Sequence, residues 1–184
     1  MPFVYQIADL GRQWSVLVHS RMLTYAHILD LDTKFRALLS SLPIFLRPDP
    51  TLEQLPEVRQ EQAQRPYLAM HRLIVFEAVN QRLLVLHRDD MCRGHHDEKF
   101  AYSTRVAVDA ARTILSCRQQ IDNVHPAVQK HAAFRHHLFQ AAIVLSIHLL
   151  ELSHKAQGES QVAHQLRDDI ALIMNYLYGS NNLR

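Results

Sequence analysis

Apolar residues recur along most of this chain at steps of three and four positions, which is the spacing of one face of an α-helix. The first such stripe predicts a helix over residues 5–29. It consists of Ile7, Leu10, Trp14, Leu17, Val18, Tyr25 and Ile28. Arg21 interrupts this stripe. Asp32 has the residue type of a helix N-cap, so a second, short helix is predicted to follow it.

A proline-rich segment follows this short helix. Pro43 is expected to end the helix, because a proline cannot continue the hydrogen-bond pattern of a helix interior. Residues 43–62 carry four prolines mixed with charged side chains. This composition predicts the longest loop of the chain.

Four later segments show helical periodicity, at residues 66–93, 97–119, 129–155 and 160–178. The segment 97–119 has a face of mostly small residues that allows close helix packing: Ser103, Val106, Ala107, Ala110, Ile114 and Cys117. The segment 129–155 is apolar on two sides, which is typical of a central helix. One side carries Phe134, Leu138, Ala141, Leu145 and Leu152, and the other carries Phe139, Ile143, Ile147 and Leu150. The pattern predicts an all-α bundle of five or six helices, forming one domain over residues 1–184.

Composition limits the kind of protein this is. The 184 residues are 48% hydrophobic and 21% charged, and only four are glycine, which favours a helical globular domain. A net charge of +2 is too small for a nucleic-acid-binding arm. The two cysteines cannot build a cysteine zinc cluster or a disulfide framework. The most apolar run, residues 141–152, is too short to cross a bilayer, so no membrane contact is expected.

Three polar residues of the segment 66–93 form the candidate site. Arg72, Asn80 and His87 share the face that also carries Phe76 and Leu83, so a cation, an amide and an imidazole are predicted to point toward the core. Buried polar groups need partners. The three residues therefore form either a hydrogen-bond network that fixes helix register or the polar wall of a small-molecule pocket.

Metal binding and catalysis find little support in the sequence. Thirteen histidines are present, and two patches are rich in ligand types. These patches are His95-His96-Asp97-Glu98, and the group His131, His136 and His137. Neither patch has the spacing of a known metal site, and no nucleophile motif or phosphate loop occurs. We expect no metal, no cofactor and no enzyme activity in this chain.

A series of short motifs does resemble a known family. In order along the chain they are Leu29-Asp30-Leu31-Asp32 through Phe35 with Leu42-Pro43, Arg65-Pro66-Tyr67, Gln81-Arg82-Leu83-Leu84 through His87-Arg88, Arg93-Gly94, Phe100-Ala101-Tyr102-Ser103, and Ala110-Ala111-Arg112-Thr113-Ile114-Leu115. This ordered set resembles the regulatory (middle homology) domain of fungal zinc-cluster transcription factors, over roughly residues 25–120.

The resemblance implies a nuclear, all-helical regulatory domain, matching the later part of the family domain. Such a domain controls transcription through ligand, partner or intramolecular contacts, and DNA is bound by a zinc cluster that this chain lacks. Protein partners or self-association and a small-molecule inducer are therefore expected. The alternative is a free-standing helical protein that senses a small molecule or titrates a partner. One departure from the family is that its "HRPY" reads His87-Arg88-Asp89-Asp90 here, which places carboxylates where they oppose the helix dipole.

Overall fold

The computed structural model describes residues 2–47, 51–124, 132–155 and 161–178. These residues form helices and connecting turns and contain no β-strand, which confirms the all-α prediction. The described ranges hold seven α-helices rather than the predicted five or six. They are α1 (Pro2–His19), α2 (Tyr25–Ser41), α3 (Pro56–Gln64), α4 (Tyr67–Met91), α5 (Ala101–Val124), α6 (Ala132–Lys155) and α7 (Gln161–Tyr178).

The predicted helix over residues 5–29 is wrong, because the chain breaks between α1 and α2. Arg21 adopts the left-handed backbone conformation, with φ of 55°. The N–H of Met22 then reaches the carbonyl of Leu17 at 3.0 Å, and the N–H of Arg21 reaches that of Val18 at 3.0 Å. This bond pair is the Schellman motif that ends helices. Glycine is the usual residue in that position, so an arginine there gives no stop signal in the sequence.

The start of α2 also differs from the prediction. Thr24 is the N-cap: its hydroxyl accepts a hydrogen bond from the His27 N–H at 3.4 Å, and the His27 ring accepts one from the Thr24 N–H at 3.3 Å. This is a reciprocal capping box. Asp32, predicted as the cap, is instead a buried residue inside α2, where its carboxylate accepts a hydrogen bond from Arg36 Nε at 2.8 Å.

The predicted loop over residues 43–62 contains a helix. Pro43 does follow the end of α2 as expected, but Pro56 begins α3. A proline fits the first helical position because the N–H it lacks would have no partner there. Two short 3₁₀ turns, Ile44–Leu46 and Leu52–Gln54, precede α3. Residues 48–50 lie outside the described ranges.

The chain divides into two compact units, Met1–Leu86 and His87–Arg184, and the division falls within α4. In the first unit α1 packs against α2. The buried apolar residues of its first two helices are Ile7, Ile28, Leu31, Phe35 and Leu38. Trp14 lies beside Gly11, Phe35 and Arg82 at a small cavity of the same unit. The single-domain assignment of residues 1–184 stays a prediction.

In the second unit α5 packs against α6, and α6 packs against α7. The small-residue face predicted for the segment 97–119 is buried throughout: Ser103, Val106, Ala107, Ala110, Ile114 and Cys117. Helix α6 packs against both α5 and α7, as predicted for a central helix, but its second apolar side is not buried. Leu138, Ala141 and Leu145 are buried, whereas the second apolar side remains exposed, by 53% at Phe139, 38% at Ile143 and 60% at Leu150. Within the described ranges, every helix is too short or too polar to cross a bilayer.

The cap of α2 can be tested with two threonines of similar surroundings. Replacing Thr24 with alanine removes the capping oxygen and should lower the free energy of unfolding by about 1 kcal/mol. Thr33→Ala is the matched control, because Thr33 is also exposed but bonds only to the carbonyl of Leu29 within the helix. It should change stability by less than about 0.5 kcal/mol. Urea unfolding followed by circular dichroism measures both, and equal effects of the two substitutions would contradict the capping role.

Candidate functional site

The three predicted site residues all lie on α4 and all are buried. Arg72 and Asn80 belong to the first unit and are each 7% exposed, whereas His87 begins the second unit and is 0% exposed. The amide Nδ2 of Asn80 donates to the carbonyl of Phe76 at 2.9 Å, within the same helix. The inward orientation predicted for the three residues is therefore confirmed. Their role as ligand-binding residues stays a prediction.

His87 is part of a well-connected corner between α4 and α5, which we call the α4–α5 corner and define as residues 87–104. Its ring nitrogen Nδ1 lies 2.9 Å from the hydroxyl oxygen of Ser103, and both residues are 0% exposed. The ring also meets Tyr102 edge-on, with centroids 5.7 Å apart. Polar groups in a protein core are nearly always hydrogen-bonded, because an unmade bond there is costly. This bond therefore fixes the end of α4 against the first turn of α5.

A second bond closes the same corner. The hydroxyl of Thr104 donates to the carbonyl of Met91 at 2.8 Å. Carbonyls in the last turn of a helix have no partner within the helix, so this side chain supplies one from the next helix. Asp97 caps the short 3₁₀ turn Glu98–Phe100 by accepting from the N–H of Lys99 at 2.9 Å. This is why α5 begins at Ala101 and not at the predicted Asp97.

Gly94 is required where these bonds meet. A Cβ atom built at this position would overlap with Thr104 Oγ1 and with the carbonyl of Phe100. The neighbouring Arg93 lies over the Phe100 ring, with its guanidinium carbon 3.6 Å from the ring centroid. The residues that carry the resemblance, Arg93-Gly94 and Phe100 through Ser103, are therefore the ones that build the corner.

The two carboxylates at the end of α4 have partners that offset their position. Arg93 Nη1 donates to Asp90 Oδ1 at 2.8 Å, and Arg88 Nε donates to Asp89 Oδ1 at 3.2 Å. Asp90 is 8% exposed and so depends on this pairing more than the exposed Asp89 does. Local ion pairs thus reduce the unfavourable interaction with the helix dipole that the sequence implies.

His95, which directly follows Gly94 in the sequence, forms a pair with a histidine of α6. His95 Nε2 and His148 Nδ1 of α6 are 3.3 Å apart, and the neighbouring His96 lies 3.4 Å from a carboxylate oxygen of Glu151. Burial is the main cause that lowers the pKa of His148 to about 4, and the positive charges of His95 and Arg112 add to it. The sequence pattern places His95 with its chain neighbours and gives no signal for His148, because only packing brings α6 to this position.

Neither predicted histidine patch forms a metal centre in the described part of the chain. No group of three or more His, Cys, Asp or Glu side chains there is arranged to hold a metal ion. His131 of the second patch lies outside the described residues.

A buried arginine, for which the sequence pattern gives no signal, contacts both α6 and α7 from α5. Arg118 of α5 is 2% exposed. Its guanidinium carbon lies 5.7 Å from the ring centroid of Phe134 on α6 and 5.8 Å from that of Tyr176 on α7. Such cation–π contacts are strongest when the cation is withdrawn from water. Arg135 adds a bond from α6 to the carbonyl of Leu177 at 2.8 Å.

Comparison with known proteins bears on what this arrangement serves. No protein-family model matches the chain, and no solved structure gives a significant match. The "probable transcription factor lepB" of Aspergillus flavus is 26% identical over 129 residues, which cover 68% of this chain and 22% of the relative. The "Agnestins biosynthesis cluster transcription factor AgnL11" of Paecilomyces divaricatus is 27% identical over 146 residues, 78% of this chain and 20% of the relative.

The chain is similar to fungal transcription factors. It spans about a fifth of the length of the curated relatives it matches. In both relatives, the similarity is therefore limited to one portion of a longer protein.

Gly94→Ala tests whether the corner depends on close approach. Because the added methyl group overlaps backbone as well as side chain, we expect the free energy of unfolding to fall by about 1–3 kcal/mol. Gly11→Ala is the matched control, since its Cβ would lie 3.5 Å from the flexible side chain of Arg82, an ordinary contact inside a helix. That change should stabilise by up to about 1 kcal/mol. Urea unfolding measures both substitutions. An unchanged free energy of unfolding in Gly94→Ala would show that the corner can accommodate a Cβ atom at this position.

The low pKa of His148 predicts a direction of pH dependence. Below the ordinary histidine pKa of 6.5 the unfolded chain takes up a proton at this residue, whereas the folded chain does so only near 4. The free energy of unfolding should therefore fall as the pH drops from 6.5 to 4. His148→Gln should remove the contribution of this histidine to the fall in the free energy of unfolding. The variant should therefore become more stable relative to the wild type as the pH drops from 6.5 to 4. Thermal melts at several pH values measure the difference, and a constant gap between the two proteins would refute it. His154→Gln, an exposed position on the same helix, controls for the loss of an imidazole.

Proposed function

We propose that this chain is the regulatory part of a fungal transcription factor that acts in the nucleus. It controls transcription through ligand, partner or intramolecular contacts, and a segment outside these 184 residues binds the DNA. The observation that carries the proposal is the similarity to two fungal transcription factors over 68% and 78% of the chain. The family motifs named above agree with it.

Charge and cysteine content support the assignment of DNA binding to another segment. The net charge is +2, and several of the basic side chains pair with carboxylates, as Arg36 does with Asp32 and Arg112 with Asp169. A protein that neutralises several phosphates needs clustered cations that face outward. The chain has only two cysteines, the exposed Cys92 and the buried Cys117, which are too few to build a cysteine zinc cluster.

The second unit supports control through contacts. The α4–α5 corner and the Arg118 contacts fix α5, α6 and α7 against each other, so the surface that they present has a defined shape. The exposed apolar side of α6, formed by Phe139, Ile143 and Leu150, offers contact area for a partner or for self-association. A regulatory module that acts by binding needs both properties.

The alternative role, a free-standing helical sensor, is favoured by one observation. The first unit contains a mostly apolar cavity of about 320 Å³, which lies within the size range of small-molecule sites. A sensor needs such a site whether or not a DNA-binding segment is attached to it.

A reporter assay tests the regulatory role. The chain is placed between a heterologous DNA-binding domain and a strong activation domain in a filamentous fungus, and compared with a flexible linker of equal length. We expect the wild-type chain to change reporter output by about fivefold or more, the low end of allosteric couplings. Gly94→Ala should reduce this effect because it disturbs the corner, whereas Gly11→Ala should preserve it. Immunoblots ensure equal protein levels, and output equal to that of the linker would argue against regulation.

A further inference from the structure

None of the three site residues predicted from the sequence lines the cavity of the first unit. This cavity has a volume of about 320 Å³ and is lined by residues of α1, of the turn after α2, and of the amino-terminal half of α4. Its lining residues are Phe3, Val4, Pro43, Phe45, Leu46, Tyr67, Leu68, His71, Ile74 and Val75. Arg72 and Asn80 are buried on the same helix, but they do not belong to this lining.

The lining restricts the charge of an occupant. Eight of the ten residues are apolar, and none is Asp, Glu, Lys or Arg. A charged molecule would give up its hydration there without gaining an ion partner, which is unfavourable. A larger cleft of about 610 Å³ lies between α1 and α2, but it is open and lined in part by Asp9 and Lys34. It therefore suits water and ions better than an apolar molecule.

Two polar side chains, Tyr67 and His71, belong to the lining of the cavity. Tyr67 and His71 lie one turn apart on α4, with ring centroids 5.2 Å apart and planes at 64°. Among the described residues, neither the Tyr67 hydroxyl nor the His71 ring nitrogens make a hydrogen bond, so their donors and acceptors are available to a ligand. A few polar groups in an apolar lining are what orients a ligand in a binding site.

The size of the cavity favours a small molecule over a protein segment. Three of the lining residues, Val4, Tyr67 and Ile74, keep 50%, 54% and 38% of their surface exposed, so the cavity is open to solvent. An amphipathic helix would need an elongated groove with anchor pockets spaced along two turns or more. A concave space of this volume instead holds a compact molecule near the lower size limit of ligand sites.

We propose that this cavity binds an uncharged, largely apolar small molecule whose one hydrogen-bonding end meets Tyr67 and His71. As an inducer site it rests on the proposed regulatory function and names the ligand class of that function. As a binding site it depends only on the cavity itself.

The neutral naphthalene ketone prodan is a suitable probe, because it is compact, uncharged and apolar with one carbonyl acceptor. Its fluorescence shifts to shorter wavelength in an apolar site. We expect saturable one-to-one binding to the full 184-residue chain. Ile74→Trp fills the cavity and should weaken binding by about tenfold or more. Tyr67→Phe removes one hydroxyl and should weaken it by about threefold to tenfold.

Ile143→Trp is the matched control for the filled cavity. Ile143 is also 38% exposed, but it lies on α6 in the other unit. Equal weakening by Ile74→Trp and Ile143→Trp, or binding that never saturates, would overturn the proposal. Analytical ultracentrifugation measures whether the chain forms dimers. If the probe binds only the dimer, and Ile74→Trp abolishes both binding and dimer formation, the cavity is an interface between copies and the proposal is wrong.

A measurement on the wild-type chain does not depend on any variant folding. Methyl NMR spectra recorded with increasing prodan should show shifts at Leu46, Leu68, Ile74 and Val75, and none at Ile143. Shifts confined to α6 would disprove the site.

The reporter assay and the binding assay separate the two proposals. Site-specific prodan binding without any effect on the reporter retains the cavity and rejects its role as an inducer site. Reporter control by a chain that binds no prodan at the cavity retains the regulatory function and rejects the ligand class.

Discussion

The buried hydrogen bond between His87 and Ser103 is the constraint on which the second unit depends. It forms at the point where α4 ends and α5 begins, and both groups are withdrawn from water. A bond in such a place is expensive to leave unmade, so the two helices have one favourable register rather than several. Gly94 and Thr104 then complete the turn, and α6 and α7 pack onto the helix so placed.

The fold class could be predicted from the sequence because a helix buries one face. The apolar residues of that face therefore recur with the helical period. The helix boundaries were predicted wrongly where a helix ends at an unusual residue, or where a residue type is compatible with both a loop and a helix start. Arg21 ends α1 in a conformation that usually selects glycine, and Pro56 starts a helix in a segment where prolines suggested a loop. Both outcomes depend on backbone geometry that a hydrophobic pattern does not record.

The candidate site shows the same division. The inward direction of Arg72, Asn80 and His87 follows from helical spacing alone, and the structure confirms it. The partners do not follow from spacing: His87 bonds to Ser103 sixteen residues away, and His148 meets His95 fifty-three residues away. Arg118 gave no signal at all, since an arginine in a helix is usually exposed and its aromatic contacts come from two other helices.

The exposed Cys92 has a practical consequence for spectroscopy. Cys117, the other cysteine of the chain, is buried, so a thiol-reactive dye at neutral pH should attach at one place, in the α4–α5 corner. The sequence also contains a single tryptophan, Trp14, in the first unit. The unmodified polypeptide therefore already carries an intrinsic donor in one half and a unique acceptor attachment point in the other. Energy transfer between them would measure the distance between Trp14 and Cys92 without any engineered residue.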